Sequence, residues 1–124
     1  MGQHQIAERF VSGAVEFDAA EALGRVDNDR ELLCEVIGSF LENIRYDLDE
    51  LDALIATGDS TGAHKVAHRI KGGYGAVGAG GLVALAFQLE RDGEASIEEM
   101  AERARAIREH TRALESELRR FLAG

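Results

Sequence analysis

"AHKVAHRIKGGYGAVGAGG", residues 63–81, separates a nucleotide-binding α/β reading of the chain from an all-helical one. From Lys71 onward it holds six glycines, and Gly73-Tyr74-Gly75-Ala76-Val77-Gly78 fits the G-x-G-x-x-G spacing of a dinucleotide loop. Such a loop follows a strand and opens a helix, so that its amides aim at a pyrophosphate. Here the preceding residues have helical spacing, and no window of the chain alternates apolar and polar residues as a strand does. A linker is the second reading, but Val66, Ile70 and Val77 carry one apolar stripe across the glycines. The stretch therefore reads as helix stripped of side chains on one side.

Projected at about 100° per residue, Ala63, Val66, Ile70, Gly73 and Val77 fall within about 40° of one line, the expected core face. His68 lies opposite, and His64, Lys65, Lys71, Gly72 and Gly75 fall within about 60° of it. Glycine inside a helix costs about 1 kcal/mol relative to alanine, and Gly72 and Gly75 on an outer face add nothing to a core. Their effect is to let another surface come close to His68. A neutral imidazole has a free lone pair near neutral pH and is a competent nucleophile. Ammonium groups on Lys65 and Lys71 would stabilise an anion placed on the ring. The bland alternative is an ordinary surface histidine among solvated lysines. A metal pair is another, since His64 and His68 stand one turn apart; however, the glutamate of H-E-x-x-H is missing and no third ligand is evident.

Outward from this helix, the rest of the chain is also helical. Leu33, Ile37, Phe40, Ile44, Leu48, Leu51 and Ile55 recur at three- and four-residue steps. Asn28 with Glu31 predicts a cap at the start of that helix, and Gly58 its stop. Leu82, Leu85 and Leu89 mark a helix ending at Gly93. Ser96 with Glu99 is a capping box ahead of Ile97, Met100, Ala104, Ile107, Thr111, Leu114, Leu118 and Phe121. The predicted fold is all-α: an antiparallel four-helix bundle over residues 17–124 with a short N-terminal helix, carrying Phe17, Ala20 and Leu23, covering one end. Residues 1–16 form an extension; Ile6, Phe10 and Ala14 permit a helix there, and disorder is equally compatible.

The 124 residues suffice for one domain, with no proline, no tryptophan and a 45% hydrophobic content that is mostly aliphatic. A net charge of −9 repels a phosphate backbone, so nucleic acid is not an expected partner. No apolar run reaches the roughly 20 residues of a membrane span. The start MGQHQIAERF lacks the pattern of a signal peptide, and the single cysteine, Cys34, predicts a reducing, cytoplasmic setting with the thiol in the core.

Ala67-His68-Arg69-Ile70-Lys71-Gly72, followed by Gly78-Ala79, Leu82, Ala86 and Leu89-Glu90, resembles the signature of histidine-containing phosphotransfer (HPt) domains of bacterial phosphorelays. Phe17-Asp18, Asp29-Arg30-Glu31-Leu32, Phe40-Leu41 and Gly58-Asp59 extend the resemblance to about residues 17–122. It implies that His68 is the phosphoacceptor, through Nε2, and that Lys71 steadies the phosphoryl oxygens. His64, Lys65, Gly72 and Gly75 would then meet the partner, a receiver domain of a response regulator or hybrid kinase. It implies a monomeric carrier without ATP-dependent kinase activity and without a cofactor of its own, Mg2+ belonging to the receiver. Tyr74 departs from the pattern, which usually has a small residue there, and is expected to widen the gap to the neighbouring helix; Ala76 replaces a frequently polar residue. Two other readings stay open. One is the phosphoacceptor domain of a chemotaxis-type kinase, which would need an ATP-binding domain that residues 1–124 do not contain. The other is an unphosphorylated bundle that sequesters a receiver.

Overall fold

The computed structural model describes residues 16–124, and among them five helices and no strand occur. The possible helix through Ile6, Phe10 and Ala14 lies outside the described residues. Helix α1 is Ala19–Arg25, α2 Arg30–Ala56, α3 Ser60–Ala76, α4 Gly80–Arg91 and α5 Ile97–Ala123. None of them is long and apolar enough to cross a membrane.

Apolar periodicity dictates which faces are buried. All seven positions of the α2 stripe, from Leu33 to Ile55, are buried. In α5 the stripe from Met100 to Leu118 is buried, and only its ends, Ile97 and Phe121, are partly exposed. Short polar residues start the helices by accepting orphan amides. Asp59 accepts from the Gly62 amide at 2.9 Å, and Ser96 and Glu99 exchange both bonds of the capping box.

Two starts differ from the sequence expectation. The cap of α2 is Asp29, accepting from the Leu32 amide at 3.1 Å, not Asn28. Asp27 and Asn28 instead make the preceding turn at φ 55° and 62°, a left-handed conformation that Asp and Asn tolerate better than most residues. Asp18 caps α1, so Phe17 precedes the helix, and the buried alanine is Ala22; Ala20 is exposed. Cys34 is half-buried and not part of the core.

Helix α2 packs against α3 and α5, and α4 packs against the same two helices. Rising residues of α2 meet falling residues of α3: Phe40 lies 5.7 Å from Tyr74, while Asp47 bonds Arg69 at 3.0 Å. The same holds on α5, where Arg30 reaches the Phe121 carbonyl, Arg45 reaches Glu115, and Asp49 and Asp52 share Arg108. The α3–α4 turn depends on Gly78. Its φ of 71° allows the Ala79 and Gly78 amides to reach the Tyr74 and Gly75 carbonyls, a Schellman turn. Its carbonyl accepts from the Asp18 amide at 2.9 Å, and a Cβ at this position would stand 2.7 Å from the Asp18 carbonyl oxygen. The chain before α1 is also held to α5: the Glu16 and Phe17 amides donate to the Glu117 carboxylate at 3.0 and 2.7 Å, and Phe17 packs edge-on against Phe121.

Candidate functional site

Helix α3 runs through the first three glycines of the stretch, Gly72, Gly73 and Gly75, and ends at Ala76. Gly73 and Gly75 are inside it and Gly78 is in the turn beyond, so no strand-to-helix phosphate loop exists here. Its buried residues are Ala63, Val66, Ala67, Ile70 and Tyr74, with Val77 continuing the line. The buried line is thus turned about 30° toward Ala67 and Tyr74 from the one projected from sequence. The reason is the extensive contact of α3 with α4 on that side.

His68 remains on the outer face, its side chain 68% exposed. Its Nδ1 lies 2.7 Å from Oε2 of Glu90 on α4, and the other oxygen of that carboxylate accepts from Lys71 Nζ at 2.7 Å. Lys71 also sits over the Phe87 ring, 4.9 Å from its centroid. Hydrogen bonding from Lys71, then from His68, holds the Glu90 carboxyl below its ordinary range, so it is an anion at neutral pH. An anionic acceptor at Nδ1 fixes the ring as Nδ1–H and leaves the Nε2 lone pair facing outward.

Glu90 appears in the sequence motif without an assigned role. Nothing in α4 alone marks it, since an acid beside Leu89 on an outer face is ordinary. Its role depends on the register of α4 against α3, which places residue 90 across from both 68 and 71. The expected basic face is correspondingly different. Lys71 is only 24% exposed and is neutralised by Glu90. Arg69 turns to the other flank, where Glu50, foremost, and Asp47 raise its pKa. Lys65 is exposed, with no ion pair recorded among the described residues.

His64 is half-buried rather than outward, with its Nε2 buried and lacking a hydrogen-bond partner among the described residues. The turn of the buried line toward α4 accounts for this. Gly72 is exposed and a Cβ there would meet nothing within 4 Å. Gly75 is half-buried, and a Cβ there would only touch Val83 at 3.9 Å. Packing among the described residues therefore demands neither glycine. An open cavity of about 570 Å³ lies beside the ring, lined by Thr61, His64, Lys65, His68 and Glu90. Among the described residues no group of three or more His, Cys, Asp or Glu side chains is placed to hold a metal.

Tyr74 belongs to the core itself. It is fully buried, its hydroxyl pairs with Thr111 Oγ1 on α5 at 2.7 Å, and Thr111 in turn donates to the Ile107 carbonyl. Burial raises the phenol's pKa, so the hydroxyl stays protonated.

A family model of the Hpt domain matches residues 35–123, which takes in α3, α4, α5 and most of α2. The upstream residues Phe17-Asp18 and Asp29-Arg30-Glu31-Leu32 lie outside the match. No curated protein and no solved structure matches the chain.

Proposed function

The chain belongs to the Hpt domain family, whose members are phosphocarrier modules rather than kinases, and on that premise we propose that it relays a phosphoryl group between receiver domains through His68. The observation that carries the proposal is the Glu90 contact at 2.7 Å to Nδ1 of an otherwise exposed ring. It sets the tautomer that a nucleophile needs at Nε2. In the forward step the Nε2 lone pair attacks the phosphorus of a receiver's aspartyl phosphate. The P–O bond to the aspartyl carboxyl breaks, and its electron pair leaves with the carboxylate. The ring, now carrying phosphorus at Nε2 and hydrogen at Nδ1, is a cation, and the Glu90 carboxylate beside it compensates that charge without any proton moving. The reverse step regenerates the acyl phosphate, so flux is set by the partners. The receiver contributes Mg2+ and most of the catalytic groups.

In this reading α2–α5 form an antiparallel four-helix bundle with α1 across one end, and the protein works as a cytoplasmic monomer. Gly72 and Gly75 clear the ground for the receiver, with His64 and Lys65 at its edge. Phosphoryl transfer from a panel of phosphorylated receiver domains, read by intact mass at neutral pH, tests it. Wild type should gain one acid-labile phosphoryl group and His68→Gln none. A phosphoryl group gained equally by His68→Gln, or a folded wild type that accepts from no receiver, would reject the proposal.

A further inference from the structure

We infer that Lys65 is the ammonium that contacts the phosphoryl group on His68, and that Lys71 instead holds Glu90 against the ring; this rests on His68 being the phosphoacceptor. Three observations converge on it. Helical side chains lean toward the helix N-terminus, so the His68 ring lies over the turn of His64 and Lys65 rather than over Gly72. The open space beside the ring has the same bias: its wall is Thr61, His64, Lys65, His68 and Glu90, and Lys71 is not part of it. Glu90 closes Nδ1 at 2.7 Å and leaves Nε2 to carry the phosphoryl group on a ring that itself lines that space.

The charges there decide which lysine serves. Glu90 lines the cavity as an anion and by itself would repel a phosphoryl dianion. The Lys71 ammonium is 2.7 Å from Oε1 of Glu90 and over the Phe87 ring, so it cancels that charge and adds no excess. Arg69 is held by Asp47 and Glu50 on the opposite flank. Among the described residues on α3, Lys65 is the remaining permanent cation, exposed and three residues before His68, a spacing at which helical side chains meet.

The test uses the full chain and phosphoramidate, a small donor that removes any receiver from the comparison. Nε2 attacks its phosphorus, the P–N bond breaks, and ammonia leaves after taking a proton from water. The phosphorus-31 shift of the product is then followed against pH in wild type, Lys65→Gln and Lys71→Gln. A contacting ammonium favours the phosphoryl dianion, so Lys65→Gln should raise the midpoint of its last ionisation by about half a unit or more. Lys71→Gln should move it less and instead shift the Glu90 carboxyl resonance and its titration upward. An unchanged midpoint in Lys65→Gln, or a larger rise in Lys71→Gln, overturns the assignment while leaving His68 as the acceptor. A wild type that gains no phosphoryl group at His68 overturns the acceptor itself and this inference with it. Lys65 has no ion pair or side-chain hydrogen bond among the described residues, so its variant should keep the wild-type circular dichroism and melting point.

Discussion

Glu90 meets two donors at once, and each of its oxygens has one of them. Replacing it by glutamine keeps the shape and removes the charge. Charge-assisted hydrogen bonds are stronger than neutral ones, so Glu90→Gln should slow transfer about 10- to 100-fold with the fold intact. Rapid-quench transfer from one receiver, beside a melting curve, checks this; an unchanged rate would show that the ring needs no help at Nδ1. The carboxyl's folded pKa is depressed, so its contribution is fully present above the unfolded value of about 4.3 and is lost as pH falls through the lower folded value. The contact should therefore persist as pH drops from 7 to 5, visible as a constant Glu90 carboxyl carbon shift over that range. Tyr74 acts differently, inside the core. Tyr74→Phe removes one neutral hydrogen bond to Thr111, which keeps its bond to Ile107, and should cost about 1 kcal/mol. Tyr74→Ala opens a cavity against Phe40 and should cost about 3–5 kcal/mol. Denaturant melts of the two variants would separate these values.

Helix α3 shows how far one element can be understood from its own residues. The outward direction of His68, the exposure of Gly72 and the burial of Val66 and Ile70 all follow from a period of 3.6 and were legible in the sequence. The half-burial of His64 and Gly75 and the burial of Ala67 were not, because they depend on which side α4 approaches. The partnership of Lys71 with Glu90 was hidden for the same reason. Gly72 and Gly78 are glycines for opposite reasons. At Gly72 a methyl group meets open space, so Gly72→Ala should raise stability by up to about 1 kcal/mol through helix propensity while weakening receiver docking. At Gly78 a methyl group meets the Asp18 carbonyl at 2.7 Å in a left-handed backbone, so Gly78→Ala should cost at least about 2 kcal/mol and loosen α1. Melting curves with a receiver-binding titration test both. A Gly72→Ala protein that binds its receiver as tightly as wild type would show that no surface closes over that position.

The molecule as a whole separates its stability from its chemistry. Stability lies in an aliphatic interior shared by α2–α5, with Ile70 at 1% exposure near its middle. The proposed chemistry lies on the far side of the same helix, on a mostly exposed ring whose one side-chain hydrogen bond among the described residues is to Glu90. Helix α3 has no Asp or Glu along its length, and the neighbouring carboxylates of Asp47, Glu50 and Glu90 are each paired with one of its cations. A phosphate-bearing partner thus meets a local surface unlike the average one. Two substitutions on α3, two residues apart, should then both abolish transfer but differ in their effect on the fold. A domain of this kind is stable by about 5–15 kcal/mol, and a carboxylate forced into the Ile70 site faces a desolvation cost of several kcal/mol without a cation recorded there. Ile70→Asp should therefore lose most of its helical circular dichroism, or melt tens of degrees lower, and lose transfer as a consequence. His68→Gln should lose transfer completely while its stability changes by no more than about 0.5 kcal/mol, or roughly 2 °C in melting point. A melting point that falls steeply in His68→Gln would mean that the histidine is part of what holds the bundle together, and its loss of transfer could then no longer be assigned to a missing nucleophile.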